Sequence, residues 1–200
     1  MSGNCNAAIG IVGGLRANPL GVVWFDAHGD FKTPETTTSG FFDGMGLATV
    51  AGLCWKNLAA SVADFAPVPG ESILHVGSRD VSEDELANMR QVGVQVCTAS
   101  EIRSNGVSAS LPRHVRNLAE CVADVYVHVD LDVINPSDVH ANGFSPPEGL
   151  SVGTMVEMLR VLKASLQIAG LSIASYDPIW DPESRAAGAV SRFLQVLNER

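Results

Sequence analysis

Short apolar runs alternate along this chain with longer segments in which apolar residues recur at helical spacing. The short runs are typical of strands in a sheet that is buried on both faces, and the longer segments are typical of amphipathic helices. The predicted strands are 21–26, 72–77, 93–97, 125–130 and 170–176. The predicted helices are 7–15, 45–63, 82–91, 108–121, 151–165 and 183–198. This alternation predicts an α/β fold, a three-layer sandwich with a mostly parallel sheet flanked by helices.

Two helix starts carry recognisable end signals. Ser82 and Glu85 have the spacing of a capping box, in which each side chain accepts from the other residue's backbone N–H. Asp181 followed by Pro182 is typical of an N-cap with proline at the first helical position. We therefore expect helices to begin directly after Ser82 and after Asp181.

Polar residues collect at the ends of two predicted strands. Asp26, His28 and Asp30 follow the run 22–25, and Asp130 and Asp132 follow the run 125–129. Because side chains alternate along a strand, the members of each group are expected to share one face. Both groups would then meet at the carboxyl edge of the sheet, where open α/β sheets bind ligands. Carboxylates this close repel one another, and a pair of divalent cations is the simplest way to stabilise them.

Composition narrows the classes of partner. The chain has 200 residues, enough for one domain over 1–200, and a formal net charge of −9, which argues against nucleic acid or an anionic membrane. No apolar run approaches the roughly 20 residues of a membrane span. The four cysteines show no Cys-x-x-Cys spacing. We therefore predict a cytoplasmic protein with reduced cysteines and no nucleic-acid or membrane partner.

Three ordered motifs resemble those of the arginase, or ureohydrolase, family. The family's Asp-Ala-His-x-Asp corresponds to residues 26–30, and its Ser-x-Asp-x-Asp to residues 128–132. Its Gly-Gly-Asp-His-Ser corresponds to residues 2–6, where this chain has Ser-Gly-Asn-Cys-Asn. The resemblance covers essentially the whole chain and implies an arginase-like domain over 1–200 that lacks the family's N-terminal strand–helix units.

The resemblance also implies metal ligands. Asp26 and Asp130 would each bridge two divalent ions, and manganese is the expected metal. Asp30 would bind the first ion and hydrogen-bond the bridging hydroxide, whereas His28 and Asp132 would bind the second. Cys5 would supply the remaining ligand of the first ion, where the family has histidine. A thiolate is a poor ligand for manganese and a good one for zinc or iron, and cysteine here resembles the family's hydroxyarginine hydrolases.

Other positions bear on the substrate. By resemblance, Ser39, Ser82 and Glu85 would bind it, although the capping box is an equally good reading of Ser82 and Glu85. Asp43 aligns with a proton-shuttling histidine and is, with Asp30, a candidate catalytic residue. Two further departures are Ser175, where the family has a guanidinium-pairing glutamate, and Lys32, where it has asparagine.

The implied function is hydrolysis of a C–N bond in a linear amidine by a metal-bridging hydroxide. The substrate would be a small cationic guanidino compound such as arginine, hydroxyarginine or agmatine, and a homo-oligomer is expected. Two alternatives remain open. The first is a catalytically degenerate family member that binds a metal or a partner. The second is a mononuclear metal amide hydrolase similar to the deacetylases.

Overall fold

The computed structural model describes residues 1–15 and 19–199. The strands within these ranges are β1 (Leu20–Phe25), β2 (Ile73–Val76), β3 (Gln95–Cys97), β4 (Asp124–Asp130) and β5 (Gln167–Ala174). The helices are α1 (Ala7–Leu15), α2 (Gly46–Val50), α3 (Lys56–Ala60), α4 (Glu83–Val92), α5 (Ala99–Asn105), α6 (Val107–Cys121), α7 (Val152–Ser165) and α8 (Arg185–Asn198). Each predicted strand is present, which confirms the alternation read from the sequence.

The strands form one parallel sheet in the order β3-β2-β1-β4-β5. Strands β1, β2 and β3 follow one another outward from the centre of the sheet. The chain then crosses back, and β4 pairs with the other side of β1. At the carboxyl end of β1, Phe25 pairs with Val76 of β2 and with Val129 of β4. The gap between β1 and β4 is therefore the switch point of the topology, the place where open α/β sheets bind ligands.

Alternate residues of β1 enter two separate cores. Val23 and Phe25 pack in the core formed with α5, α6, α7 and α8. Val22 and Trp24 pack in the core formed with α1, α2, α3 and α4. Both faces of the sheet are covered, which explains why β1 is buried along its whole length. The three-layer α/β sandwich predicted from the sequence is confirmed.

The predicted helix over 45–63 is wrong. The structure has α2 and α3 there, separated by a break at residues with positive φ, Gly52 at 75° and Trp55 at 49°. A helix cannot continue through left-handed backbone, and glycine adopts it without a steric penalty. A similar break at Gly106, with φ of 81°, separates the unpredicted α5 from α6.

The two helix-start predictions have different outcomes. The capping box is present: Ser82 Oγ accepts from the Glu85 backbone N–H, and the Glu85 carboxylate accepts from the Ser82 backbone N–H. Helix α8 begins at Arg185, later than predicted. The Asp181 carboxylate nevertheless accepts from the N–H groups of Arg185 and Ala186, each at 2.9 Å. Asp181 therefore accepts hydrogen bonds from the first backbone N–H groups of α8, but it lies in the preceding turn and is not the N-cap.

Candidate active site

A cavity of about 970 Å³ opens beyond the carboxyl ends of β1 and β4. Its lining includes five of the six predicted metal ligands, namely Cys5, His28, Asp30, Asp130 and Asp132. The sixth, Asp26, is 1% exposed and contacts this group from within the protein. The topology therefore brings the two strand-end motifs and the N-terminal motif to one place.

The potential ligand atoms form two overlapping groups. One, which we call the cysteine subsite, contains Cys5, Asp26 and Asp130, and the other, the histidine subsite, contains Asp26, His28 and Asp132. Within each group the ligand atoms all lie within 4.8 Å of one another. Asp26 belongs to both groups, the geometry expected of a carboxylate that bridges two ions.

The first motif reaches the site through an irregular turn. Strand β1 ends at Phe25, and the Asp26 carboxylate accepts from the His28 backbone N–H at 2.8 Å. Asp30 has a left-handed backbone with φ of 48°, which is unusual for a residue other than glycine. Our expectation that strand alternation aligns Asp26, His28 and Asp30 is therefore wrong in its reason, although the three residues do converge. Strained backbone of this kind is concentrated at functional sites.

The second motif also reaches the site through a turn at the end of a strand. Strand β4 ends at Asp130, whose Oδ1 accepts from the Asp132 backbone N–H at 2.9 Å and so caps a single 3-10 turn. Asp132 Oδ1 accepts from the Ala27 backbone N–H at 3.2 Å, which joins the two motifs. Arg79 donates to the carbonyl oxygens of Asp132 and Val133 and holds this turn from the other side.

The histidine subsite contains its own positive charge. His28 Nδ1 lies 3.2 Å from Asp132 Oδ2 and 3.5 Å from Asp26 Oδ1. Burial opposes protonation of His28, but hydrogen bonds to Asp132 and Asp26 outweigh it and raise its pKa to about 12. Burial and the neighbouring Asp132 raise the pKa of Asp26 to about 6. In the absence of a metal, the proton on His28 stabilises these carboxylates.

The cysteine subsite has no such charge. Cys5 Sγ donates to Asp130 Oδ2 at 3.0 Å, and burial, followed by the charge of Asp130, raises the pKa of the thiol well above its usual value. Burial and nearby carboxylates also raise the pKa values of Asp30 and Asp130. Asp30 Oδ2 is buried without a hydrogen-bond partner. A buried oxygen with no partner is costly, and a cation in the site would remove that cost.

Trp24 orients Asp26 and was missed in the sequence reading. Its indole N–H donates to Asp26 Oδ2 at 3.0 Å, and its ring stacks on His128 with centroids 3.7 Å apart. His128 Nδ1 lies 2.9 Å from both Tyr126 Oη and Ser172 Oγ, in the core and away from the cavity lining. The pattern that could have identified Trp24 is its position two residues before Asp26 along the strand.

Only some of the residues predicted to bind the substrate or to act on it line the cavity. Ser82, Glu85 and Asp43 line the cavity. Ser39 is exposed and is not among the lining residues, although Thr38 and Phe41 are. Its hydroxyl accepts from the Phe41 backbone N–H at 3.1 Å, so it shapes the turn that carries Phe41. Substrate binding by Ser39 stays a prediction.

Asp43 is held by the N-terminal segment. Its Oδ1 accepts from the Asn6 backbone N–H at 3.2 Å and from the Asn6 side-chain amide at 3.0 Å. Partial burial raises the pKa of Asp43 above its usual range. The carboxyl group is thus fixed beside the cavity by Asn6.

The rim of the cavity is aromatic, a feature that was not predicted from the sequence. Phe144 is 70% exposed and stacks on Phe41 with ring centroids 6.0 Å apart, and Trp180 also lines the opening. Asn142 ties this rim to Ser175 by donating to its carbonyl oxygen at 2.9 Å. These residues lie in loops with no regular spacing, so only their three-dimensional placement reveals them.

A third group of potential ligands lies away from the cavity. It contains Cys97, Glu101 and His114. Arg113 donates to the Glu101 carboxylate at 2.8 Å and to His114 Nε2 at 3.2 Å. A guanidinium already occupies the ligand atoms that a metal would need, so this group is an ion-pair cluster.

A parallel sheet with carboxylate, imidazole and thiol groups at its switch point is typical of a metal-binding enzyme of the α/β class. The family model described as the arginase family matches residues 1–197. The chain belongs to the arginase family and, with it, to the metal-dependent amidinohydrolases.

Individual relatives agree with this assignment. Arginase from Bacillus caldovelox is 28% identical over 200 residues, which cover 98% of this chain and 67% of the relative. N(omega)-hydroxy-L-arginine amidinohydrolase from Streptomyces lavendulae is 31% identical, over 91% of this chain and 60% of the relative. The solved structure of arginase from Bacillus cereus has a TM-score of 0.91 at 28% identity and covers 100% of this chain and 70% of that one. The chain thus spans about two thirds of the length of these proteins.

Proposed function

We propose that this chain is a dinuclear metal hydrolase that cleaves a C–N bond in linear guanidino compounds, such as arginine, hydroxyarginine or agmatine. The observation that carries the proposal is the pair of subsites that share Asp26 beneath one cavity. The ligand set would be Cys5, Asp26, Asp30 and Asp130 for one ion and Asp26, His28, Asp130 and Asp132 for the other.

The residues present fit two divalent ions. Carboxylate and imidazole suit manganese, which we propose as the metal, whereas the thiol of Cys5 favours zinc or iron. The unpartnered Asp30 Oδ2 and the raised pKa values of Asp26, Asp30 and Asp130 support a site that would be stabilised by cations. Bound divalent ions polarise a substrate and supply a hydroxide nucleophile near neutral pH.

Two side chains would handle protons. Asp30 Oδ2 is free to accept a hydrogen bond from the nucleophile, because no protein group occupies it. Asp43, held by Asn6, would donate a proton to the leaving amine nitrogen. Ser175 has a left-handed backbone with φ of 62°, and its hydroxyl lies 3.5 Å from Cys5 Sγ. A hydroxyl at this position can hydrogen-bond a guanidinium but provides no balancing charge.

The test is urea release from a panel of guanidino compounds by protein loaded with manganese, zinc or iron, with metal content measured on the same samples. Two ions per chain and urea from a panel member are expected. Two ions without urea from any compound would favour the degenerate alternative, which the hydrogen bond from Cys5 to Asp130 supports. One ion per chain with turnover would favour the mononuclear alternative, which the self-contained histidine subsite supports.

Location and assembly are further parts of the proposal. Among the described residues, none of the helices combines the length and the apolar content that a membrane crossing requires. A cytoplasmic location and a homo-oligomer remain predictions, as does the single domain over 1–200. Size-exclusion chromatography with light scattering measures the oligomeric state directly.

A further inference from the structure

The side of the cavity next to α4 is formed by three residues, which we call the lysine cluster: Lys32, Ser82 and Glu85. All three line the cavity. The Lys32 ammonium donates to Ser82 Oγ and lies 3.6 Å from Glu85 Oε2. The side chain of Lys32 is 22% exposed and that of Glu85 is 9% exposed. The ammonium is therefore the accessible group, and the carboxylate is the buried one.

The Glu85 carboxylate is held by three hydrogen bonds and one ion pair. Its Oε2 accepts from the Ser82 backbone N–H at 3.1 Å and from Ser82 Oγ at 2.8 Å, and its Oε1 accepts from the Phe31 backbone N–H at 3.3 Å. A carboxylate offers about four acceptor positions, so these donors take three of them. The Lys32 ammonium, 3.6 Å from Oε2, balances the charge of the carboxylate. Glu85 therefore already has a cationic partner, which weakens its attraction for the amino group of a substrate.

Gly29 fixes this arrangement beside the first metal motif. A Cβ atom at Gly29 would lie 2.8 Å from Glu85 Oε1, which is too close. The absence of a side chain at Gly29 lets the carboxylate pack directly against the loop that carries His28 and Asp30. Glu85 thus lies between this loop and Lys32.

Lys32 adds a positive charge to a cavity that is otherwise mostly acidic. Among the described residues, Lys32 is the one lysine or arginine in the cavity lining. The remaining charged lining residues are acidic apart from His28. The carboxylates suit a guanidinium. The Lys32 ammonium has three donors, of which one goes to Ser82 and one faces Glu85, and it attracts a carboxylate and repels an amino group.

We propose that Lys32 selects guanidino acids as substrates: linear molecules with a guanidinium at one end, a carboxylate at the other and no amino group beside that carboxylate. The inference rests on the proposed function, because it assigns the substrate class of that same site. Hydrolysis would add water across the C–N bond and release urea and an amino acid whose amine is at the chain end. A purely structural role for the Lys32–Glu85 pair would instead change stability and leave selectivity unaltered.

The experiment uses a matched pair of substrates that differ only in the amino group, 5-guanidinopentanoate and L-arginine. On the metal-loaded native protein, kcat/KM for urea release is expected to be about 10-fold or more higher for 5-guanidinopentanoate. Lys32→Asn should lower that ratio by at least about 10-fold, and Lys32→Arg should retain it. Lys56→Asn, at an exposed lysine outside the cavity, is the control and should leave the ratio unchanged.

Two results separate failure of this inference from failure of the proposed function. If arginine is preferred, or if Lys32→Asn leaves the ratio unaltered while urea is released, only the selectivity is overturned. If neither these two compounds nor any other member of the guanidino panel releases urea, the proposed function fails, and calorimetric binding of the product pair, 5-aminopentanoate and L-ornithine, tests recognition alone. Tighter binding of 5-aminopentanoate that Lys32→Asn abolishes would support the role of Lys32, and equal affinities would overturn it.

Discussion

The two subsites share Asp26 but balance their charges in different ways. In the histidine subsite, His28 Nδ1 lies 3.5 Å from Asp26 Oδ1 and 3.2 Å from Asp132 Oδ2. In the cysteine subsite, a neutral thiol donates to Asp130, and Oδ2 of the neighbouring Asp30 has no hydrogen-bond partner. The histidine subsite therefore contains a cationic side chain, whereas the cysteine subsite contains none.

This difference indicates how the halves would bind metals. The histidine subsite offers carboxylate and imidazole, which bind manganese well once the proton is released. The cysteine subsite gains more charge stabilisation from a cation but includes a soft ligand. We therefore expect manganese to fill the histidine subsite first, and the second ion to be the one that depends on residue 5.

The largest effect is expected from Asp26→Asn, because Asp26 belongs to both subsites. Loss of this ligand should remove both ions and lower kcat/KM for urea release by roughly 1,000-fold or more. Metal analysis and steady-state kinetics measure the two effects. Asp84→Asn, at an exposed carboxylate on α4, is the matched control. Two ions retained by Asp26→Asn would show that Asp26 does not bridge them.

His28→Asn tests whether the two subsites bind metal independently. It removes a ligand from one subsite only, so we expect one ion to remain and kcat/KM to fall by roughly 100-fold. Metal titration monitored by calorimetry should change from two binding steps to one. Loss of both steps would mean that the subsites fill only together, and the difference drawn between them would not hold.

Cys5→His tests the cysteine subsite by replacing its thiol with an imidazole. Imidazole suits manganese better than thiolate does, so the weaker manganese dissociation constant should fall by about 10-fold and arginase-like activity should rise. Cys121→His, at an exposed cysteine, controls for the added histidine. An unchanged dissociation constant would mean that Cys5 is not a ligand. A loss of hydroxyarginine turnover would mean that the thiol serves that substrate.

The smallest effect is a pH dependence in the metal-free protein. Burial and Asp132 raise the pKa of Asp26 from 3.8 to about 6. Its stabilising contribution is complete below the unfolded value near pH 4 and is lost as the pH rises through about 6. Asp26→Asn does not titrate, so the Tm of this variant relative to the native protein should rise by roughly 5–10 °C between pH 4 and pH 7.

The Tm of the variant is compared with that of the native protein at each pH because other buried groups titrate in the same range. Burial lowers the pKa of His75 to about 4 and that of His128 to about 3, and both effects make the protein more stable as the pH rises. They cancel in the difference between variant and native protein. A difference that stays constant with pH would contradict the raised pKa of Asp26.

The strands and most of the candidate ligand cluster could be predicted from the sequence. A buried parallel strand leaves a continuous apolar run, as in β1, and the residue after it must lie at the carboxyl edge of the sheet. Asp26 and Asp130 were placed correctly for that reason. Asp30 was placed for the wrong reason, because a left-handed backbone cannot be read from strand alternation.

The lysine cluster and the break between α2 and α3 could not be predicted. Lys32 is 50 residues from Ser82, and nothing in a single sequence shows that their side chains meet. The break after α2 depends on the positive φ of Trp55 as well as Gly52, and tryptophan has no local preference for that conformation. Tertiary contacts decide both features.

The central claim is that two ions flank Asp26, and anomalous diffraction from crystals grown with manganese tests it most directly. We predict two anomalous peaks roughly 3.5–4 Å apart, one beside Cys5 and Asp30 and the other beside His28 and Asp132, with the Asp26 carboxylate between them. A single peak at His28, or no peak within reach of Asp26, would contradict the dinuclear account.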